Sequence, residues 1–195
     1  MYMYEDSCTE EYVAGIDEVG RGPFFGPVVA CAVILPKDER ILYLNDSKKL
    51  SEKKREELYS VIMEKALAVG IGVVSEKVID EINILQATYE AMRNAVASLS
   101  IKPLVTLNDA VIIPDLGEDI KQVKIIKGDA KSASIAAASI VAKVTRDHMI
   151  SEMSLQYPEY DLANNKGYGT KKHIEALKKY GPTEHHRMSF IKKFI

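Results

Sequence analysis

Four acidic residues stand at or just after the ends of apolar stretches, where a carboxylate is costly to place. Asp17 and Glu18 close the stretch EYVAGIDEV, Asp109 lies in LVTLNDAVIIP, and Asp129 follows QVKIIKG. If these stretches are neighbouring strands, the carboxylates meet at one edge of a sheet and repel one another. Mg²⁺ or Mn²⁺, which prefer hard oxygen ligands, would compensate that repulsion. The pattern therefore predicts a divalent-metal site with all four acids as metal ligands.

A structural explanation of the same acids stays open. Glu18 would then be an edge residue paired with Arg21, and the two later aspartates would be turn residues before helices. Adjacent residues of a regular strand point to opposite faces, so Asp17 and Glu18 reach one metal only if the strand breaks. Val19-Gly20 is where such a break is expected.

The sequence GRGPFFGP follows the first two acids directly and predicts a tight turn. Gly20, Arg21 and Gly22 would expose backbone N–H groups and a guanidinium to phosphates or hydroxyls. Tyr168 lies between two glycines, which leaves its ring free to stack on a sugar or base. Further candidates for phosphate contact are Lys48, Lys49, Lys143, Arg146 and Lys166. The alternatives are that these cations are solvated and that Tyr168 packs in the core.

Charge is distributed unevenly along the 195 residues, although the net charge is only −2. Residues 1–120 carry 12 basic and 21 acidic residues, a net −9, whereas residues 121–195 carry 14 and 7, a net +7. A basic second part indicates a polyanionic ligand, unless its lysines form the solvated face of a helical tail. Nothing pairs His173, His185 or His186 with a nucleophile, so we expect them at the surface or in loops.

Apolar patterning predicts the elements that position these candidates. EYVAGIDEV and GPVVACAVILP are expected to pair as antiparallel strands, followed by strands at AVGIGVVS, LVTLNDAVIIP and QVKIIKGDA. Helices are expected after three N-caps, Ser51, Asn83 and Thr170, and over the long stretch SASIAAASIVAKVTRDHMISEM. The second helix should bury a face formed by Leu85, Tyr89, Met92, Val96 and Leu99.

These elements predict an α/β fold, in which a mixed β-sheet is flanked by helices and followed by a C-terminal helical segment. We expect a catalytic domain at 1–155, with 156–195 packed on it as the helical segment. No apolar stretch is long enough to span a bilayer, and the N-terminus shows no signal-peptide pattern. Cys31 lies in an apolar run and is expected to be a buried free thiol, which favours the reducing cytoplasm.

Six ordered blocks of the sequence resemble the type 2 ribonucleases H (ribonuclease HII). The blocks are GIDEVGRGPFFGPVV, DSKKLS, NILQATYEAM, KGDAKSASIAAASIVAKVTRD, NKGYGT and HRMSF, and they extend from about residue 12 to 190. The resemblance implies an RNase H-like domain with a C-terminal helical segment. It also implies an endonuclease that cuts the RNA strand of RNA–DNA hybrids and incises 5′ of a single ribonucleotide in duplex DNA.

The resemblance also implies roles for individual residues. The four acids would form the active site, the Gly20–Gly22 turn would read the ribose 2′-OH, and Tyr168 would stack on the neighbouring deoxyribose. At the third acid, LNDAV stands where the family frequently has IDG, so Asp109 is assigned by its position in the strand and not by an exact motif. For the fourth acid, Asp147 is the alternative to Asp129.

Hydrolysis of a phosphodiester by two metal ions needs no protein nucleophile and would leave a 3′-hydroxyl and a 5′-phosphate. We expect the chain to act as a monomer. Two other functions stay open: a nuclease or resolvase of the same fold that acts on DNA alone, and a nucleic-acid-binding module whose acids are structural.

Overall fold

A five-stranded sheet forms the centre of the computed structural model, which describes residues 1–195. Its strands are β1 Val13–Val19, β2 Val28–Ile34, β3 Ala68–Val74, β4 Val105–Asp109 and β5 Lys121–Ile125. The spatial order is β3-β2-β1-β4-β5; β1 to β3 pair antiparallel, and β4 and β5 run parallel to β1. The mixed sheet and the first antiparallel pair are confirmed.

Helices cover both faces of the sheet. They are α1 Met3–Ser7, α2 Glu52–Lys65, α3 Glu76–Ala97, α4 Ala133–Ser154, α5 Leu162–Asn165, α6 Lys171–Tyr180 and α7 Met188–Ile191. Short 3₁₀ turns occupy Ser47–Lys49, Gly128–Ala130 and Pro158–Tyr160. The α4 face of the sheet also packs against α2, and α3 covers the opposite face. No helix combines the length and apolar character that crossing a bilayer requires.

Side-chain caps begin the helices where the sequence predicted them. Ser51 accepts a hydrogen bond from the N–H of Lys54 at 3.2 Å, and Thr170 accepts one from the N–H of His173 at 3.3 Å. Each cap satisfies one of the N–H groups that a first helical turn leaves unpaired. Both predicted caps are therefore confirmed.

Small residues let α4 lie directly against β1. A Cβ added to Gly15 of β1 would come within 2.1 Å of the carbonyl carbon of Ser134. Ala136, Ala137 and Ala138 are all fully buried. This close contact fixes the distance between α4 and the strand that carries Asp17.

The third helix differs from the sequence prediction in two ways. Asn83 has a positive φ of 68°, so α3 is kinked there, and its Oδ1 accepts hydrogen bonds from the N–H groups of Leu85 and Gln86. Asn83 therefore caps the second half of a longer helix that begins at Glu76.

The predicted apolar face of α3 is wrong at Leu85, which is 41% exposed, whereas Ala91 and Ala95 are fully buried. The reason lies in β3, where Gly70 and Gly72 let the helix backbone approach. A Cβ at Gly72 would lie 2.0 Å from the carbonyl oxygen of Ala91. Alanines fit this narrow gap and leucine does not.

The C-terminal part contributes helices and no strand, as predicted. It packs through Tyr160, Leu177 and Ile191 against Phe25, in the loop after β1, and against Ile150 of α4. This contact joins the C-terminal helices to the segment that follows Asp17 and Glu18.

The prediction that the histidines are surface or loop residues is wrong for His173, which is buried in α6. His186 lies in a loop as predicted, but it is buried as well. His173 and His186 are 0% and 2% exposed, and their Nε2 atoms lie 3.0 Å apart. They fill the space between α6 and Phe25, whose ring centre lies 5.1 Å from that of His186. His185 is half-buried, and its Nδ1 lies 2.7 Å from Oε1 of Glu76.

Candidate active site

Two of the predicted acids lie near the carboxyl ends of neighbouring parallel strands: Asp17 two residues before the end of β1, and Asp109 at the end of β4. Ile16 of β1 pairs with Asn108 of β4, which makes Asp17 and Asp109 the next positions of the same register. Residues paired in register point to the same face of a sheet. The two aspartates therefore share one face at the carboxyl ends of β1 and β4.

Asp129 reaches this edge through the turn after β5. The N–H of Gly128 donates to Oδ1 of Asp109 at 2.6 Å, which ties the 3₁₀ turn Gly128–Ala130 to the end of β4. The charge of Asp109 contributes to raising the pKa of Asp17, Glu18 and Asp129 alike. Asp109 is therefore the neighbour that the other three acids have in common.

Asp17 is buried, and burial raises its pKa well above the ordinary value, with further contributions from Glu18 and Asp109. Hydrogen bonds from Ser139 and from the N–H of Glu18, the latter at 2.8 Å, oppose this shift. No cation of the protein neutralises Asp17. Carboxylate oxygens crowded in this way are suitable ligands for a hard divalent ion.

Glu18 occupies a different position from Asp17. Pairing with β2 continues regularly through Val19, opposite Val29, so the two side chains point to opposite faces. The chain breaks only afterwards, at Gly20, whose φ is 91°. Oε1 of Glu18 accepts from Nη1 of Arg21 at 3.4 Å, the pairing that the structural alternative required.

No group of three or more His, Cys, Asp or Glu side chains is arranged as it stands to hold a metal ion. Mg²⁺ commonly uses one or two carboxylates and completes its six positions with waters and phosphate oxygens. The pair Asp17 and Asp109 fits this mode of binding. Glu18 and Asp129 as direct ligands stay predictions.

The turn that carries Lys48 lies near enough to Asp129 for the charges of Asp46 and Lys48 to act on it. Oδ1 of Asp46 accepts from the N–H of Lys48 at 2.9 Å, and Ser47 Oγ lies 2.9 Å from Ser139 Oγ on α4. Burial and the charges of Asp46 and Asp109 raise the pKa of Asp129, and Lys48 lowers it. Asp46 was missed by the sequence analysis, although it begins the block DSKKLS.

The glycine turn and Tyr168 lie side by side. A Cβ added to Gly22 would be 3.6 Å from Cε1 of the Tyr168 ring, and that side chain is 45% exposed. The ring is therefore not a core residue, and it borders the turn that begins at Gly20. Arg21 and Gly22 are exposed beside it.

The prediction that Arg146 contacts phosphate is wrong. Its side chain is fully buried and donates hydrogen bonds of 2.9 to 3.0 Å to the carbonyl oxygens of Phe25, Pro27 and Lys166. Burial lowers its pKa to about 10. Its guanidinium is fully occupied in joining three backbone segments and cannot reach a bound polyanion.

The predicted lysines differ in how free their charges are. Lys143 Nζ donates to Oδ1 of Asp147 at 2.7 Å, one turn along α4, and its side chain is only 22% exposed. Lys166 Nζ donates to Ser151 Oγ at 2.9 Å. Lys48 and Lys49 are exposed at the turn before α2. Phosphate contact by Lys48 and Lys143 stays a prediction.

A mixed sheet of five strands in this order, flanked by helices and with aspartates near the carboxyl ends of β1 and β4, has the ribonuclease H-like fold. The crystal structure of ribonuclease H2 from Pyrococcus horikoshii OT3 superposes with a TM-score of 0.78 at 30% identity, over 94% of this chain and 96% of that one. Residues 14–193 match the family model of Ribonuclease HII.

Curated relatives agree with this match. Ribonuclease HII of Lachnoclostridium phytofermentans is 66% identical over 181 residues, which cover 93% of this chain and 70% of that protein. Ribonuclease HII of Acetivibrio thermocellus is 56% identical, over 100% and 77% of the two chains. The chain belongs to the ribonuclease HII family and is therefore an enzyme, a hydrolase of the ribonuclease H class.

Proposed function

We propose that this ribonuclease H cleaves the RNA strand of RNA–DNA hybrids and incises duplex DNA on the 5′ side of a single embedded ribonucleotide. The observation that supports this proposal is that Gly22 lies against the ring of Tyr168. Gly22 belongs to the loop that directly follows Asp17 and Glu18. The 2′-OH is the group that distinguishes RNA from DNA at a given site. An exposed backbone turn beside an aromatic ring is suited to read that hydroxyl and the adjacent sugar.

We propose that Asp17 and Asp109 hold a divalent ion, Mg²⁺ or Mn²⁺, and that Glu18 and Asp129 complete a second ion site or orient the attacking water. Two bound ions would supply a deprotonated water and stabilise negative charge on the phosphate and on the departing 3′ oxygen. The products would be a 3′-hydroxyl and a 5′-phosphate.

Further residues have supporting roles in this proposal. Lys48 and Lys143 would contact substrate phosphates, Arg21 would contribute its exposed guanidinium, and Tyr168 would stack on the deoxyribose. We also propose that the chain acts as a monomer in the cytoplasm, where its two free cysteines, Cys8 and Cys31, would stay reduced.

The test is a cleavage assay on three labelled duplexes of one sequence: DNA with a single ribonucleotide, all-DNA, and an RNA–DNA hybrid. Each is incubated with Mg²⁺, with Mn²⁺ or with a chelator, and the cut position is mapped at nucleotide resolution. We expect metal-dependent cuts in the hybrid and one cut 5′ of the ribonucleotide. Equal cleavage of the all-DNA duplex would indicate a DNA nuclease instead. Binding without cleavage in either metal would indicate a binding module.

A further inference from the structure

Arg187 lies in the C-terminal segment, 165 to 167 positions along the chain from the glycine turn, and its side chain is fully buried. It makes no ion pair with a carboxylate; its guanidinium donates to backbone carbonyl oxygens of the loop after β1. The distances are 2.7 Å to Gly20, 3.1 Å to Arg21, and 2.9 and 2.7 Å to Gly26. One buried side chain thus contacts both ends of the loop.

These hydrogen bonds set the direction of two peptide units. The peptide bond is planar and trans, so the C=O of one residue and the N–H of the next point in opposite directions. Because the carbonyls of Gly20 and Arg21 point inward to Arg187, the N–H groups of Arg21 and Gly22 point away from it. Neither N–H has an acceptor within the protein, and both residues are exposed.

The histidine pair holds the other side of the same site. Thr183 N–H donates to Nδ1 of His186 at 2.9 Å, which leaves the proton of the neutral ring on Nε2. His186 Nε2–H then donates to Nε2 of His173, and His173 Nδ1–H donates to the carbonyl oxygen of Tyr168 at 2.9 Å. The C-terminal segment therefore holds the backbone of both the turn and Tyr168.

We propose that Arg187 is a positioning residue for ribonucleotide recognition: its hydrogen bonds to the Gly20 and Arg21 carbonyls aim the free N–H groups of Arg21 and Gly22 at the ribose 2′-OH. This inference rests on the proposed function. It assigns the recognition geometry to a residue that itself lies out of reach of the substrate.

The test combines a change in the enzyme with a change in the substrate. Arg187→Lys keeps the charge but loses the planar fork that serves several carbonyls at once. Wild type and variant are compared on duplexes whose single ribonucleotide carries either the 2′-OH or a 2′-fluoro group. For each enzyme, kcat/KM on the 2′-OH substrate is divided by kcat/KM on the 2′-fluoro substrate. We expect this ratio to be at least about tenfold larger for the wild type, because in the variant the two N–H groups no longer point at the hydroxyl.

A matched control separates the loss of N–H orientation from a general loss of stability. Met92→Ala removes a fully buried side chain of α3 that makes no hydrogen bond to the glycine turn, and it should keep the wild-type ratio between the two substrates even if its Tm falls as far. If Arg187→Lys does not fold, Asp80→Ala replaces it. The half-buried Asp80 carboxylate accepts hydrogen bonds from the N–H groups of Met188 and Ser189, directly after Arg187. That variant should lose part of the ratio.

Two results would overturn the inference in distinguishable ways. A wild type that incises at the ribonucleotide, together with a folded Arg187→Lys enzyme that keeps the full ratio, would remove Arg187 from recognition and leave the proposed function intact. A wild type that does not incise there would remove the proposed function and this inference together.

Discussion

Asp17 and Arg187 are both buried ionisable residues, but their surroundings compensate them in opposite ways. Arg187 donates four hydrogen bonds to carbonyl oxygens, and the negative charges of Glu76 and Asp80 lie near enough to act on it. Asp17 has the acidic Glu18 and Asp109 as its charged neighbours. Burial shifts each toward its neutral form, raising the pKa of Asp17 and lowering that of Arg187 to about 9.

The difference separates a structural region from a reactive one. A buried charge whose hydrogen bonds are satisfied within the protein stabilises the arrangement of its partners. Carboxylates crowded together cost stability until a further ion binds, and such perturbed groups are typical of functional sites. The arginine contacts are therefore complete in the chain itself, whereas in the proposed function a bound metal ion completes the acid edge.

The largest effect is expected for Asp17→Asn. We expect cleavage to fall at least about 1,000-fold, because a proposed ligand of the metal is lost, while substrate binding persists. Without metal, the Tm of the same variant should rise by about 2–4 °C, since a repulsive charge is removed. Asp119→Asn, at an exposed aspartate paired with Lys102, should show neither effect. Full activity of Asp17→Asn would contradict the metal assignment.

Arg146→Met tests the structural region, in which a buried arginine is hydrogen-bonded to backbone carbonyl oxygens as Arg187 is. The carbonyls of Phe25, Pro27 and Lys166 lose their buried donor, so the free energy of unfolding should fall by about 3 kcal/mol. Urea denaturation measures this loss. Arg21→Met, at an exposed arginine, should change the free energy of unfolding by less than about 0.5 kcal/mol. Equal effects of the two variants would mean that the buried contacts contribute little.

Binding of Mg²⁺ should stabilise the wild type, because the proposed metal site at the acid edge exists in the folded chain and not in the unfolded one. At a hundred times Kd the gain is about 2.7 kcal/mol. Differential scanning calorimetry with and without Mg²⁺ measures it as a rise in Tm. The rise should be absent in Asp17→Asn and present in Arg187→Lys. A rise of the same size in Asp17→Asn would place the ion elsewhere.

A smaller effect is expected from the histidine pair as the pH falls. Burial lowers the pKa of His186 to about 4, with a further contribution from His173. Below the ordinary pKa of about 6.5 the unfolded chain binds the proton first, so this contribution to stability is lost between about pH 6.5 and pH 4. The raised pKa values of Asp17, Glu18 and Asp129 act in the opposite direction.

His186→Gln isolates the histidine contribution. The glutamine keeps an acceptor for the Thr183 N–H but does not titrate. From about pH 7 to about pH 4, the variant should lose about 1 kcal/mol less of its free energy of unfolding than the wild type loses. Parallel curves would show that His186 takes up its proton alike in the folded and the unfolded chain.

Much of the fold was predictable from local patterns. The five strands, the caps at Ser51 and Thr170 and the small-residue face of α4 depend on neighbours in sequence, which determine strand propensity, capping and helix contact. Acids at strand ends were equally visible, because an apolar stretch that ends in a carboxylate is readable without coordinates. The six ordered blocks identified the family for the same reason.

The tertiary structure alone decided which face of α3 is buried, because Gly70 and Gly72 of another element set the space available. It also decided the opposite roles of Arg21, exposed beside Glu18, and Arg187, buried beneath the turn. A guanidinium has the same composition in either place. Its role depends on carbonyl groups that lie far away along the chain and come near only when the molecule folds.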